Sequence, residues 1–372
     1  MLYNNGIKDN YLAIQQMLNK RGTVIIDKPG TYLVSKTLKI YSSTRLVLAP
    51  GVIIKAAPMS KCALIENEHF ACGGRDSDIE IIGGTFDGNC DKMGLNGEYE
   101  ALHRLDTPYS PQNFKGKLMR FAHVDKIVIE KLTVKNPVSY GIQIGDVRGF
   151  IARDLFFDYN WHFGTTDGVH INGPARDGVI ENLCGTTNDD MVALTTYDEA
   201  HAEISKGDIE NVSIRNISAK NGFSGVRLLS GENFALKNVR VDGVYGDYRH
   251  SGIVVSNHCK REGKVWFDNL IIENFFASKS HTPLTDDCFT YWEKGADTVP
   301  IIHFERGACC GNVIIRNVFR HQEKSTEGLL VSMTEDTSVE RLVLENIYQT
   351  TAEGAMAPFC KIDARIGELI KK

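Results

Sequence analysis

Several common signatures are missing from this chain. Its nine cysteines contain no CxxC pair and are scattered, apart from the adjacent Cys309-Cys310. That argues against a zinc ribbon and against a thioredoxin-like redox site. An odd count also argues against a closed disulfide framework, so buried free thiols and a reducing compartment are expected. Positive charge is not in excess: Lys and Arg total 42, Asp and Glu total 47, and the net charge is −5. Such a balance gives no support to nucleic-acid binding. It leaves an anionic substrate open, because a local cleft matters more than the total. No apolar run is long enough to span a bilayer, so no membrane partner is expected. The opening residues Met1-Leu2-Tyr3-Asn4-Asn5 show neither a basic nor an apolar stretch, so no signal peptide is expected. The expected location is cytoplasmic or virion-associated, with secretion left open if a leader was removed.

With 372 residues, 42% hydrophobic and 24% charged, the chain reads as folded, and its length suits a repeat solenoid. Asp9-Asn10 can cap a short helix carrying Ile14, Met17 and Leu18 on one face and ending at Gly22. Strand-like runs follow at Thr23–Ile26, Thr31–Val34, Leu38–Tyr41, Arg45–Leu48 and Val52–Lys55. A lone helix ahead of strands suggests a lid over the first exposed edge of a stack.

From residue 78 a repeat of alternating apolar residues, an Asn and a further apolar residue recurs. It appears at Val179–Leu183, Val212–Ile217, Ala235–Val239, Val265–Leu270, Val313–Val318 and Leu342–Ile347, with Lys131 and Asp154 in the Asn place of two variants. Asn tolerates the left-handed φ of a tight bend. Stacked rung on rung, Asn182, Asn216, Asn238, Asn269, Asn317 and Asn346 are expected to form one amide ladder. This pattern resembles the right-handed parallel β-helix of the pectin-lyase-like superfamily. The fold expected is all-β, a single domain over 1–372. Residues 1–22 form an N-terminal cap, 23–350 the rungs and 351–372 a tail or C-terminal cap. Two stretches, 87 to 117 and 278 to 300, interrupt the repeat, and long loops on a rigid stack commonly wall a cleft.

Stacking allows the sequence to be read in columns. The strands that open successive rungs align as Leu118–Phe121, Gly141–Ile144, Gly168–Ile171, Met191–Leu194, Gly225–Leu228 and Gly252–Val255. Their second and fourth places are apolar and face inward. The third places face outward and read Arg120, Gln143, His170, Ala193, Arg227 and Val254. The residues just before these strands are Lys117, Tyr140, Asp167, Asp190, Ser224 and Ser251. Asp167 and Asp190 thus fall on neighbouring rungs, about 4.8 Å apart along the stack, with Asp189 at the corner. Three carboxylates in so small a volume repel one another. Unless a cation binds them, chemistry is the expected reason for keeping them. The column predicts a cleft that is basic at its edges, through Arg120, His170 and Arg227.

Thr165-Thr166-Asp167-Gly168 and Asn188-Asp189-Asp190-Met191 resemble the first two motifs of family 28 glycoside hydrolases, the polygalacturonase family. The resemblance implies an inverting hydrolase without a cofactor. Asp189 would be the general acid, and Asp167 and Asp190 would hold and deprotonate the attacking water. The third motif is not matched, since Ser224 stands where a His belongs in Phe223-Ser224-Gly225. Nor is the fourth, whose places read Val254-Val255-Ser256. The carbohydrate partner would then be gripped by His170, Arg227, Gln143, Arg120, Trp161 and Ser224. Two other readings stay open: a lyase whose Ca²⁺ sits on Asp167, Asp189 and Asp190, and a tailspike-like glycan binder. Asp286-Asp287 reads as a solvated turn, and His250 and His258 as satisfied surface histidines. Trp161 and Trp292 are candidates to stack on sugars, and packing under the turn is an equal reading for Trp161. Oligomeric state, sugar identity and linkage are not encoded in these motifs.

Overall fold

The computed structural model describes residues 1–94, 116–198, 204–257, 266–289, 296–324, 326–352 and 360–372. Most of the first interruption lies outside the described residues, as do His258, Cys259, Tyr291 and Trp292. The chain winds into a right-handed parallel β-helix. A middle rung shows how. Ile142–Asp158 pairs in parallel with Met119–Glu130 and Thr133–Lys135 on one side. On its other side it pairs with Val169–Thr186, residue against residue. Inward positions alternate with outward ones, so Phe121, Ile144, Ile171, Leu194, Leu228 and Val255 stack as fully buried side chains. Each contributes on the order of 1.5–3 kcal/mol of burial.

The five early runs are strands with boundaries within one residue of those expected: Gly22–Ile26, Gly30–Val34, Leu38–Ile40, Thr44–Leu48 and Val52–Ala56. A further strand, Asn5–Asp9, pairs with Gly30–Val34 and has too little apolar pattern to show in the sequence. The helix is Tyr11–Leu18, with Ile14 and Leu18 buried. Asn10 is its N-cap residue and makes no side-chain cap bond, while Asp9 Oδ1, one residue earlier, accepts the Tyr11 N–H at 3.0 Å. The lid closes the sheet edge through one side chain. Gln15 Oε1 accepts the Lys39 N–H at 2.8 Å, and Gln15 Nε2 donates to the Lys39 carbonyl at 3.0 Å. The amide thus stands in for a missing neighbouring strand.

All six repeat asparagines have left-handed φ, between 52° and 57°, and so do Lys131 and Asp154. They do not form one ladder. Asn182 donates to Asp154, Asn216 to Asn182, Asn274 to Asp242, Asn317 to Asn274 and Asn346 to Asn317, at 2.7–3.2 Å. A second corner carries Asn211 on Asp177, Asn238 on Asn211 and Asn269 on Asn238, at 2.9–3.0 Å. Asn238 and Asn269 therefore belong to a different edge from the other four. Gly243, at φ 92°, fills the first corner where Asn238 was expected, between Asn216 and Asn274. Mixing the corners adds only five residues to the gap of 48 between Asn269 and Asn317: Asn274 and Asn317 are still 43 residues apart on consecutive rungs, because the second interruption lies between them.

Asn317 donates one ladder bond and accepts another, at φ 53°. Asn317→Ala should lose about 1–3 kcal/mol, from the left-handed backbone penalty and two hydrogen bonds. Asn317→Gly should lose less, because glycine keeps the φ without strain. Urea midpoints at unchanged slope measure the difference.

Candidate active site

The site is built where the turn 160–166 feeds the strand Val169–Thr186 and the turn 187–189 feeds the strand Asp190–Thr195. Val169 pairs with Val192 and Asp190 pairs with Ser224, which sets Asp167, Asp190 and Ser224 on consecutive rungs. The approach is close. A Cβ on Gly168 would sit 2.5 Å from the Met191 carbonyl, so only glycine lets the two acid-bearing turns stack.

Asp167, Asp189 and Asp190 converge, with a carboxylate oxygen from each within 4.8 Å of the others. Their exposures differ. Asp167 is 2% exposed and Asp190 6%, while Asp189 is only partly buried. Asp167 Oδ1 accepts the Asp190 N–H at 3.1 Å. Burial, then the charges of Asp190 and Asp198, push the Asp167 carboxyl well above the usual range. Asp190 Oδ1 is buried with no hydrogen-bond partner among the described residues, and the same holds for Ser224 Oγ on the next rung. The turn itself is pinned. Asn188 Nδ2 donates to the carbonyls of Phe163 and Phe289 at 2.8 and 2.6 Å, and Thr187 Oγ1 to that of Asp189 at 2.8 Å.

The outward column has the expected register: Arg120 beside Gln143, Gln143 beside His170, His170 beside Ala193, Ala193 beside Arg227. It is not a basic cleft edge. Arg120 is 7% exposed and is held by Glu66 at 2.6 Å. Gln143 is fully buried and donates to Asn172 Oδ1 at 2.8 Å. His170 is 3% exposed, with Nδ1 2.5 Å from Asp167 Oδ2 and Nε2 3.0 Å from Thr195 Oγ1. Burial pushes its imidazole down to about 4, so it is neutral at physiological pH. Arg227 lies between Asp190 (3.6 Å) and Glu305 (3.7 Å) and donates to Ser256 Oγ at 3.0 Å. Each cation thus faces an acid. Trp161 is 5% exposed inside the hydrophobic core, under the turn, and offers no face to a sugar.

Sequence reasoning placed Tyr140 and Lys117 in the acid column without giving them a role, and passed over Asn172, Thr195, Asp198 and Glu305. Tyr140 stacks on His170 with ring centroids 4.2 Å apart and planes at 7°, and its Oη donates to Asp198 Oδ2 at 3.2 Å. Lys117 Nζ lies 4.2 Å over the Tyr140 ring. Asn172 and Thr195 lie two places beyond His170 and Ala193, on the same strand faces, so period-two alternation could have flagged them. Glu305 lies in the same row, paired with Ser256, whereas no local signal marks Asp198. The second interruption does reach the site: the Phe289 N–H donates to the Trp161 carbonyl at 2.7 Å. Asp286-Asp287 is an exposed turn, as expected, and Asp287 Oδ2 also lies 3.0 Å from His162 Nε2.

Asp167, Asp189 and Asp190 are close enough to suggest a cation. Both oxygens of Asp167 are engaged, by the Asp190 N–H and by His170. Asp190 Oδ2 also faces Arg227 at 3.6 Å, so the cluster is partly committed to protein partners, whereas Ca²⁺ takes six to eight oxygens. The group Glu68, His69 and Asp76 is closed by four hydrogen bonds onto Asp76.

Solved structures with this architecture resemble the whole chain. The Streptococcus pneumoniae surface protein and adhesin PfbA aligns at a TM-score of 0.55 and 14% identity, over 100% of this chain and 98% of that one. The family 28 exopolygalacturonase of Yersinia enterocolitica aligns at 0.55 and 15%, over 100% of this chain and 76% of that one. The A-module of the Azotobacter vinelandii mannuronan C-5 epimerase AlgE6 aligns at 0.56 and 13%, over 98% and 97%. No family model and no curated protein sequence matches the chain. At these identities the likeness is one of fold.

His162 clamps the turn to both interruptions, with Nδ1 2.7 Å from Asp91 and Nε2 3.0 Å from Asp287. The Asp91 hydrogen bond leads the raising of its imidazole above the ordinary value. A raised folded value means the clamp stabilises fully below pH about 6.5 and fades as pH rises through the folded value. The stability gap between wild type and His162→Gln should therefore shrink from pH 6 to 8.5, measured as urea midpoints. A gap that widens would contradict the clamp.

Proposed function

We propose that this chain hydrolyses glycosidic bonds of a polysaccharide or oligosaccharide, with pectin-like glycans the first class to test. The observation that carries the reading is one partly exposed carboxylate, Asp189, beside two buried ones on stacked rungs. The motif resemblance adds weight. So do two structural neighbours whose names, exopolygalacturonase and mannuronan epimerase, denote enzymes acting on polysaccharides.

Asp189 is the acid that can meet a substrate. Its proton passes to the glycosidic oxygen as the bond to the anomeric carbon breaks. A water adds to that carbon and gives its proton to Asp190, with Asp167 beneath. Solvent then returns Asp189 to its acid form and takes the proton from Asp190. Asp190 Oδ1 and Ser224 Oγ, both buried without hydrogen-bond partners among the described residues, are suited to hold that water.

The spacing needs an argument. Carboxyl groups about 5–5.5 Å apart usually mark retaining enzymes and about 6.5–9.5 Å inverting ones. The nearest oxygens here lie within 4.8 Å. A nucleophile must touch the anomeric carbon, however, and Asp167 and Asp190 at 2% and 6% exposure are too deep to do so. Acting through water, they favour inversion. Arg227 is already matched by Asp190 and Glu305, so it does not supply an open grip for a uronate. The screen should include neutral and acidic glycans.

Asp189→Asn should lose about 10²–10⁴ in turnover on the natural leaving group, the usual worth of general acid catalysis. The loss should shrink with an activated aryl leaving group. Asp190→Asn should stay slow on both. Loss of activity on chelation, its return with Ca²⁺ and an unsaturated product would establish the lyase instead. Glycan binding with no turnover in any variant would make the protein a binder.

A further inference from the structure

The proton inventory around Asp167 can be counted atom by atom. Thr195 Oγ1 carries one hydrogen. It donates to the Ile171 carbonyl at 3.2 Å. The same oxygen accepts from Asn172 Nδ2 at 2.9 Å, and the Asn172 amide is oriented by Gln143 donating to its Oδ1. With that hydrogen on the Ile171 carbonyl, His170 Nε2, 3.0 Å from Oγ1, is placed to donate its own; Asn172 Nδ2, 3.4 Å from the same nitrogen, makes its shorter bond to Oγ1. Asp198 Oδ2, 3.5 Å from the same nitrogen, also favours an N–H there. With the hydrogen on Nε2, the neutral ring presents a bare Nδ1 to Asp167 Oδ2 at 2.5 Å. Two lone pairs at that distance repel, so a further proton must lie between them.

We propose that His170 is a positioning residue that holds Asp167 in a proton-sharing, electrically neutral pair, leaving Asp190 alone as the base that deprotonates the water. The second half rests on the hydrolase reading above; the first half does not. The groups facing the pair support it. Tyr140 and Lys117 come from the preceding rungs, and Asp190, Asp189 and Asp198 from the following one. Arg227 is one rung further on. Lys117 and Arg227 are the only cations in that set, against four carboxylates. A shared proton removes one negative charge from the most buried place in the cluster. The raised affinity of the Asp167 carboxyl and the neutral His170 ring agree with this count.

Stability against pH reads the proton directly. In the unfolded chain the two groups titrate near 3.9 and 6.5. Between those values the unfolded pair holds one proton, on His170, and the folded pair also holds one extra proton. Wild-type stability from this pair is then flat up to pH about 6.5 and falls above it. In Asp167→Asn the folded site holds no extra proton. Its stability rises up to pH about 6.5 and is flat above. The ratio of the two folding constants should thus change about tenfold per pH unit, in favour of the variant, from pH 5 to 7.5. If Asp167 is an ordinary carboxylate accepting from His170 Nδ1–H, both proteins follow the same curve and the ratio stays constant. That result overturns the proposal. Should the variant fail to fold, ¹⁵N spectra of histidine-labelled wild type decide. A protonated Nε2 supports the pair, and a bare Nε2 with protonated Nδ1 overturns it. Kinetics separate the two halves. Asp167→Asn should lose at least tenfold less turnover than Asp190→Asn, and equal losses would overturn the single-base assignment. Full turnover in both Asp189→Asn and Asp190→Asn would instead sink the hydrolase reading, whatever the stability ratio shows.

Discussion

Everything in this molecule depends on parallel rungs staying in register. A strand that slips by one residue turns its whole inward face outward. Two devices hold the register here. Buried aliphatic residues alternate with polar ones along each strand, and left-handed residues fix the corners. The corner amides then hydrogen-bond from rung to rung, so each bend is tied to the next. Asp167 and Asp190 meet only because Val169 pairs with Val192. A site made by register needs no local motif geometry beyond a glycine that allows close approach, and Gly168 provides it.

The cluster shows a contest between desolvation and charge. Burying carboxylates side by side is unfavourable, and each is matched in a different way. Asp190 is set against Arg227, which also meets Glu305. Asp167 is set against His170 and a backbone N–H. Asp189 remains nearest to solvent. The same matching explains why the column is not a basic strip. Arg120 and Arg227 answer acids of the fold before they could answer a substrate.

Much of the fold was legible because strand period and corner chemistry are local. The five early strands, the helix and the outward column with its register could all be read from residue order. The two corner families could not be told apart. Asn238 and Asn216 are each followed by an inward apolar residue, and both need left-handed φ, so their local patterns are the same. Only pairing distances separate them. The convergence of the three acids was legible for the same reason as the strands, since it follows from counting residues per rung. Burial of the column was not, because it comes from distant parts of the chain. Trp161 could be read as stacking on a sugar or as packing under the turn, and it packs inward. Asp198 lies beyond the end of the strand Asp190–Thr195, where no period applies.

The central claim is that one accessible acid works opposite a water held by buried acids. The configuration of the first product released, followed by proton NMR on a glycan that the protein cleaves, tests it most directly. The account predicts the inverted anomer before mutarotation. A retained anomer would mean that a carboxylate reaches the anomeric carbon itself, and would contradict the assignment of Asp167 and Asp190 to the water side.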